Sequence, residues 1–161
     1  MRRALTLTCS LDQHHAIKLF LTGEVLNGPN LPSSLEQPMN ILVLDTQEMH
    51  IESLARGLMI KGHEVFAASD GKNALDHLLN QDPMIDLIIT DHAMMIPDGG
   101  DLVLHLEKSG RKPPVVMMTA TDNPLGILNP LEKLCGLFLE KPFSIEGLLD
   151  AVEECVRKRC P

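Results

Sequence analysis

Four side chains able to do chemistry stand at the ends of short apolar runs. Asp45 closes Ile41-Leu42-Val43-Leu44, and Asp91 closes Leu87-Ile88-Ile89-Thr90. Thr119 closes Val115-Val116-Met117-Met118, and Lys141 follows the run 137–140 and precedes Pro142. Runs this short and this apolar, bounded by turn residues, predict strands buried on both faces of a parallel sheet. All four residues then reach the same carboxyl rim, where open α/β sheets place their ligands. Two carboxylates, a hydroxyl and an ammonium converging there are the parts for handling a phosphoryl group. One carboxylate can attack phosphorus, and carboxylates hold a hard divalent ion such as Mg2+. The ammonium and the hydroxyl take up charge on the phosphoryl oxygens. Any one of these residues alone reads as a turn cap or a core residue; the set carries the chemistry.

The elements that must position them follow from the spacing of apolar residues. After the strand ending at Asp45, Ile51, Leu54, Ala55, Leu58 and Met59 mark one face of a helix closed by Gly62. A strand is predicted over 64–68, then a helix capped by Ser69 or Asp70, with Ala74, Leu75, Leu78 and Leu79 inward. Asp82-Pro83 stops that helix. The strand of Asp91 is followed by a helix near 100–109 bearing Leu102, Val103 and Leu106, and then by the strand of Thr119. Pro124, Gly126 and Pro130 argue against a full-length helix before the strand at 137–140. Ser144 caps the last helix, with Leu148, Leu149, Val152 and Val156 inward and Arg157-Lys158-Arg159 at its solvated carboxyl end. Strands alternating with helices predict a doubly wound α/β domain with right-handed crossovers and helices on both faces.

The bulk numbers set limits. The chain has 161 residues, enough for one domain, or one domain and a tail. With four Phe and no Trp or Tyr, the core must be built from aliphatic residues and Met, and Met94, Met95, Met117 and Met118 read as core. A net charge of −8 and so few aromatics argue against a nucleic-acid surface. No run approaches the roughly 18 apolar residues of a membrane span, so no membrane partner is expected. The four cysteines form no CxxC, which fits free thiols in a reducing compartment and a cytoplasmic protein. Residues 1–39 show no sustained period and include the turn-rich NGPNLPSS at 27–34, with Ala16–Leu26 reading as a short helix or strand; they read as a poorly ordered leader, with the domain spanning 40–161. The seven histidines show no metal-ligand spacing, and His92 reads as an exposed loop residue.

From about Asn40 to Arg157 the chain resembles the receiver domain of two-component response regulators. The resemblance is carried by ILVLD (41–45), LIITDHAMMIPDGG (87–100), VVMMTA (115–120) and LFLEKPF (137–143). It implies a flavodoxin-like, CheY-like fold with five parallel strands in the order 2-1-3-4-5. It implies that Asp91 is the phosphoacceptor, loaded by a histidine kinase or a histidine phosphotransfer protein. It further implies that Asp45 belongs to the acidic pair near Mg2+, with the backbone carbonyl of Ala93 as another ligand. Thr119 matches the switch hydroxyl, Phe138 the switch aromatic, and Lys141 the phosphate-binding lysine before a cis Lys-Pro bond. Phosphorylation adds charge and acceptor oxygens. Thr119 would move to meet them, Phe138 would rotate inward, and the face shown to a downstream target protein would change.

This sequence departs from the family pattern at several positions. Thr46 stands where the second acid is expected, which puts Mg2+ in question and makes Glu48 the substitute ligand to consider. Met95 replaces the usual proline, with Pro97 displaced by two. The expected function is a stand-alone receiver that is not an enzyme; the alternative is an interaction module that works without phosphorylation. A dinucleotide enzyme would need GxGxxG where LDTQEMHIE stands, and an aspartyl phosphatase would need DxD at Asp45-Thr46-Gln47.

Overall fold

The computed structural model describes residues 6–11, 17–22, 37–80, 84–92, 106, 108, 110, 112–120 and 135–159. Seven strands form one sheet: β1 (Thr6–Leu11), β2 (Ile17–Thr22), β3 (Asn40–Leu44), β4 (Glu64–Ala68), β5 (Leu87–Asp91), β6 (Val115–Ala120) and β7 (Cys135–Lys141). The helices are α1 (Glu48–Ile60), α2 (Gly71–Asn80) and α3 (Ile145–Arg159). The sheet order is β1-β2-β4-β3-β5-β6-β7. Its last five strands pair in parallel and reproduce the expected 2-1-3-4-5 order of a doubly wound fold.

Alternation along the strands builds two cores. Ile41 and Val43 of β3, with Leu87 and Ile89 of β5, face the helices α1 and α3 and meet Leu54, Leu58, Leu148 and Val152. Leu42 and Leu44, with Ile88 and Met117, point to the opposite face and meet Ala74 of α2 and Leu106. Both sets are fully or almost fully buried, so continuous apolar strands are what a sheet covered on both faces requires. Met117 and Met118 are core as expected; Met94 and Met95 lie outside the described residues, as do Leu102 and Val103 of the helix expected near 100–109.

The caps follow the sequence. Asp70 Oδ1 accepts from the backbone N–H of Asn73 at 2.7 Å at the start of α2, and Ser144 Oγ accepts from Gly147 N–H at 3.1 Å at the start of α3. Gly62, after α1, has φ +92, a conformation that favours glycine.

Two strands precede the five parallel ones: β1 and β2 form an antiparallel hairpin, and β2 pairs antiparallel with β4 at Ile17↔Ala67 and Lys18↔Phe66. The physical reason lies at the outer edge of β4, where five parallel strands alone would leave a row of unpaired backbone groups. TLTCSL and IKLFLT, rich in β-branched and apolar residues, are suited to covering such an edge.

Candidate functional site

Asp45 sits one residue past β3, where the chain turns into α1. Its side chain is almost completely buried, 2% exposed. Oδ1 accepts from the backbone N–H of Gln47 at 2.8 Å, which fixes the carboxylate and leaves Oδ2 to face the rim. Two basic side chains meet that oxygen: His50 Nδ1 at 3.3 Å and Lys141 Nζ at 4.0 Å. Lys141, the last residue of β7, also makes a short ion-paired hydrogen bond to Asp91 Oδ2 at the end of β5. The Lys141-Pro142 peptide is cis, as the resemblance implied.

Strand register explains why residues so far apart in sequence meet. Asp91 is level with Met118 of β6, and Lys141 is level with Ala120. β5 and β7 therefore end at nearly the same height on either side of β6. Thr119 is one residue past Met118 and is buried, 5% exposed. Alternation turns its side chain to the same face as Met117, whose partner on β7 is Phe138. Phe138 is 50% exposed, unlike its buried neighbour Met117.

The structure thus brings Asp45, Asp91 and Lys141 together, with Thr119 at the adjacent level of the sheet. Thr46 is exposed, and Glu48 opens α1 with its side chain exposed. Ala93 lies outside the described residues, as do Pro97, Pro124 and Pro130. His92 corrects the expectation of an exposed loop residue: directly after β5 ends at Asp91, it is 6% exposed.

His50 was not visible from the sequence as a site residue. The signal was its spacing of five from Asp45: α1 begins only three residues past that carboxylate, so its first turn folds back over the strand end. A cleft of about 540 Å3 opens beside the same groups, between α1 and the β7–α3 turn, lined by Asp45, His50, Leu54, Met118, Lys141 and Phe143 among others.

A doubly wound sheet whose rim gathers two carboxylates around one lysine defines a class of phosphoryl-handling signalling domains. The chain belongs to the response regulator receiver family: the family description "Response regulator receiver domain" matches residues 41–153. Over 124 residues it is 33% identical to the response regulator MprA of Mycobacterium sp. (strain KMS), a match covering 77% of this chain and 53% of that protein. The chain therefore spans about half the length of the curated relatives it matches. Among solved structures, the receiver domain of the Francisella response regulator 1452 superposes with a TM-score of 0.59 at 28% identity, covering 75% of this chain and 99% of that one. A response regulator receiver domain protein from Clostridium thermocellum gives a TM-score of 0.63 at 23% identity, covering 75% and 96%, and shows the shared fold. Domains of this family are phosphoacceptor modules of two-component signalling, and they generally bind Mg2+ for phosphorylation. No helix among the described residues is long and apolar enough to cross a membrane.

Mg2+ prefers oxygen donors, keeps several waters, and is usually held by only one or two carboxylates besides phosphate. Asp45 would meet this demand, since Oδ1 is tied to the backbone while Oδ2 faces the Lys141 ammonium. Asp91, on the same lysine, would supply the second carboxylate. Among the described residues no group of three His, Cys, Asp or Glu side chains is arranged as a metal cage. The donor set fits an ion that stays largely hydrated.

Proposed function

We propose that Asp91 accepts a phosphoryl group from a histidine kinase or a histidine phosphotransfer protein, and that the change this causes at the rim alters how the domain binds a downstream target. The observation that supports it most is the Lys141 ammonium held against the Asp91 carboxylate at the end of a parallel sheet, with the buried Asp45 on the same lysine. In the reaction, an Asp91 carboxylate oxygen forms a bond to phosphorus. The bond from phosphorus to the donor imidazole nitrogen breaks, and the imidazole leaves with the electron pair and is protonated. Lys141 neutralises charge on the phosphoryl oxygens and keeps it from collecting on one atom. Asp45 and Asp91 would hold Mg2+, with the Ala93 carbonyl and Glu48 as the further ligands expected; when bound, the ion supplies positive charge to the phosphoryl oxygens.

The response rests on Thr119 and Phe138. A phosphoryl group at Asp91 offers new acceptor oxygens, and the Thr119 hydroxyl is the nearby donor on the neighbouring strand. Movement of Thr119 frees space on the face that β7 shares with Phe138, and the half-exposed ring can turn into it. Phosphorylation then biases two packings of one face, which is how a charge at the rim reaches a partner protein. We place this exchange in the cytoplasm, where the phosphodonor kinase domain would be met.

The test is intact-protein mass after incubation with Mg2+ and a small acyl phosphate. A gain of one phosphoryl group that disappears in Asp91→Asn is expected. No gain at saturating donor would overturn the proposal and leave the interaction module that works without phosphorylation.

A further inference from the structure

The acid missing at Thr46 leaves the question of what else could complete the cation site beside Asp45. Thr46 is exposed and carries no carboxylate. Beside the rim-facing Oδ2 of Asp45 lies instead a nitrogen, His50 Nδ1, at 3.3 Å. Oxygen and imidazole donors sit about 2.1 Å from a small divalent ion. Two such donors on adjacent corners of an octahedron are therefore about 3.0 Å apart by the same ligand distances. The observed separation is close to that edge, so one ion can bridge the two atoms with only a small shift of either.

Other features agree. Asp45 Oδ1 is committed to the Gln47 N–H, so a cation would bind at Oδ2, the oxygen that His50 and Lys141 face. The His50 side chain is 46% exposed on the first turn of α1 and borders the open cleft, so an ion can reach it without unfolding anything. Lys141 Nζ stands farther from Oδ2 than the imidazole does, 4.0 Å against 3.3 Å.

We propose that His50 is a nitrogen ligand of this site, and that with Asp45 it shifts the preferred ion from Mg2+ towards first-row transition ions such as Mn2+. Imidazole adds little to the binding of Mg2+, which favours oxygen, and more to the binding of Mn2+ and the ions after it. The site stays the one proposed above for the phosphoryl reaction, and this inference rests on that reading for its biological use, though its geometry stands alone.

The experiment uses the full chain at neutral pH with Mn2+ as the probe and Mg2+ as the competitor. Pulsed electron paramagnetic resonance of the Mn2+ complex is expected to show nitrogen hyperfine coupling that vanishes in His50→Gln. The same substitution is expected to weaken Mn2+ by about tenfold, the size seen when a supporting group is removed from a metal site, and Mg2+ by much less. His50 lies exposed on a helix, so the variant keeps its fold, and an unchanged circular dichroism spectrum verifies that. Absence of nitrogen coupling in the unaltered chain, or equal weakening of both ions, would overturn the assignment. Phosphoryl uptake in Mg2+ without nitrogen coupling would overturn it while leaving Asp91 as acceptor; nitrogen coupling without phosphoryl uptake would support His50 and sink the acceptor role.

Discussion

The Lys141 ammonium lies against Oδ2 of Asp91, although the two residues are 50 positions apart in the chain and the whole of β6 stands between their strands. The contact exists because parallel strands bring their carboxyl ends to one level. It places positive charge where the oxygens of a group on Asp91 would lie. Replacing Lys141 by Met keeps length and removes the ammonium. Phosphoryl uptake should slow by about 10²-fold, the cost of losing one preorganised donor to developing charge. Time-resolved mass spectrometry of Lys141→Met with a small acyl phosphate measures it, and an unchanged rate would remove Lys141 from the reaction.

Gly136 predicts a packing effect on the same strand. A Cβ built there falls 2.6 Å from Cys155 Sγ, a fully buried atom on α3 that also donates towards the Val115 carbonyl. Gly136→Ala therefore forces α3 away from β7 or drives the sulfur off its rotamer. Overpacking of this kind costs about 1–3 kcal/mol, or a few degrees of melting temperature at this chain length. Cys155→Ala in the same chain should recover part of the loss, because it removes the atom in the way. Additive losses in the double variant would show that the two residues do not compete for space.

Most of the parallel sheet was legible because each strand is a run of apolar residues ended by a polar one. Asp45, Asp91, Thr119 and Lys141 announced the rim in that way, and Asp70 and Ser144 announced their caps. Two things were not legible. His50 belongs to a helix, and its nearness to Asp45 depends on how sharply the chain turns at Thr46 and Gln47, which residue types do not state. The hairpin of β1 and β2 was missed because its partner is an edge: Thr6–Leu11 and Ile17–Thr22 become strands through what β4 leaves unpaired.

Stability should depend on pH through His63. Its side chain is buried, 5% exposed, and Nδ1 accepts from the backbone N–H of Met39 at 3.3 Å. Burial pushes its pKa below the ordinary 6.5. The unfolded chain therefore takes up a proton first as pH falls, and protons then favour unfolding. The contribution of His63 is complete above about pH 6.5 and is lost progressively as pH drops towards the folded value. Protonation of Nδ1 also deletes the acceptor for Met39. Urea midpoints measured from neutral to mildly acidic pH should fall more steeply for the unaltered chain than for His63→Gln. Parallel curves would mean that the imidazole remains neutral, or charged, in both states.

The last prediction concerns the hairpin. β2 touches β4 through two residue pairs, whereas β1 and β2 hold each other through six. Among the residues whose burial is described, the two cores are built from residues after Asn40, with the half-buried Met39 at the margin of one of them. A chain starting at Met39 should therefore fold with its five parallel strands intact and lose little stability, on the order of the 0.4–2 kcal/mol expected for two edge pairs at about 0.2–1 kcal/mol each. What it should gain is a bare strand edge at β4, which invites pairing between molecules. Thermal melts read the first effect, and light scattering against concentration reads the second. A shortened chain that fails to fold would show that the hairpin supports the core; one that stays monomeric at high concentration would show that β4 has no need of a cover.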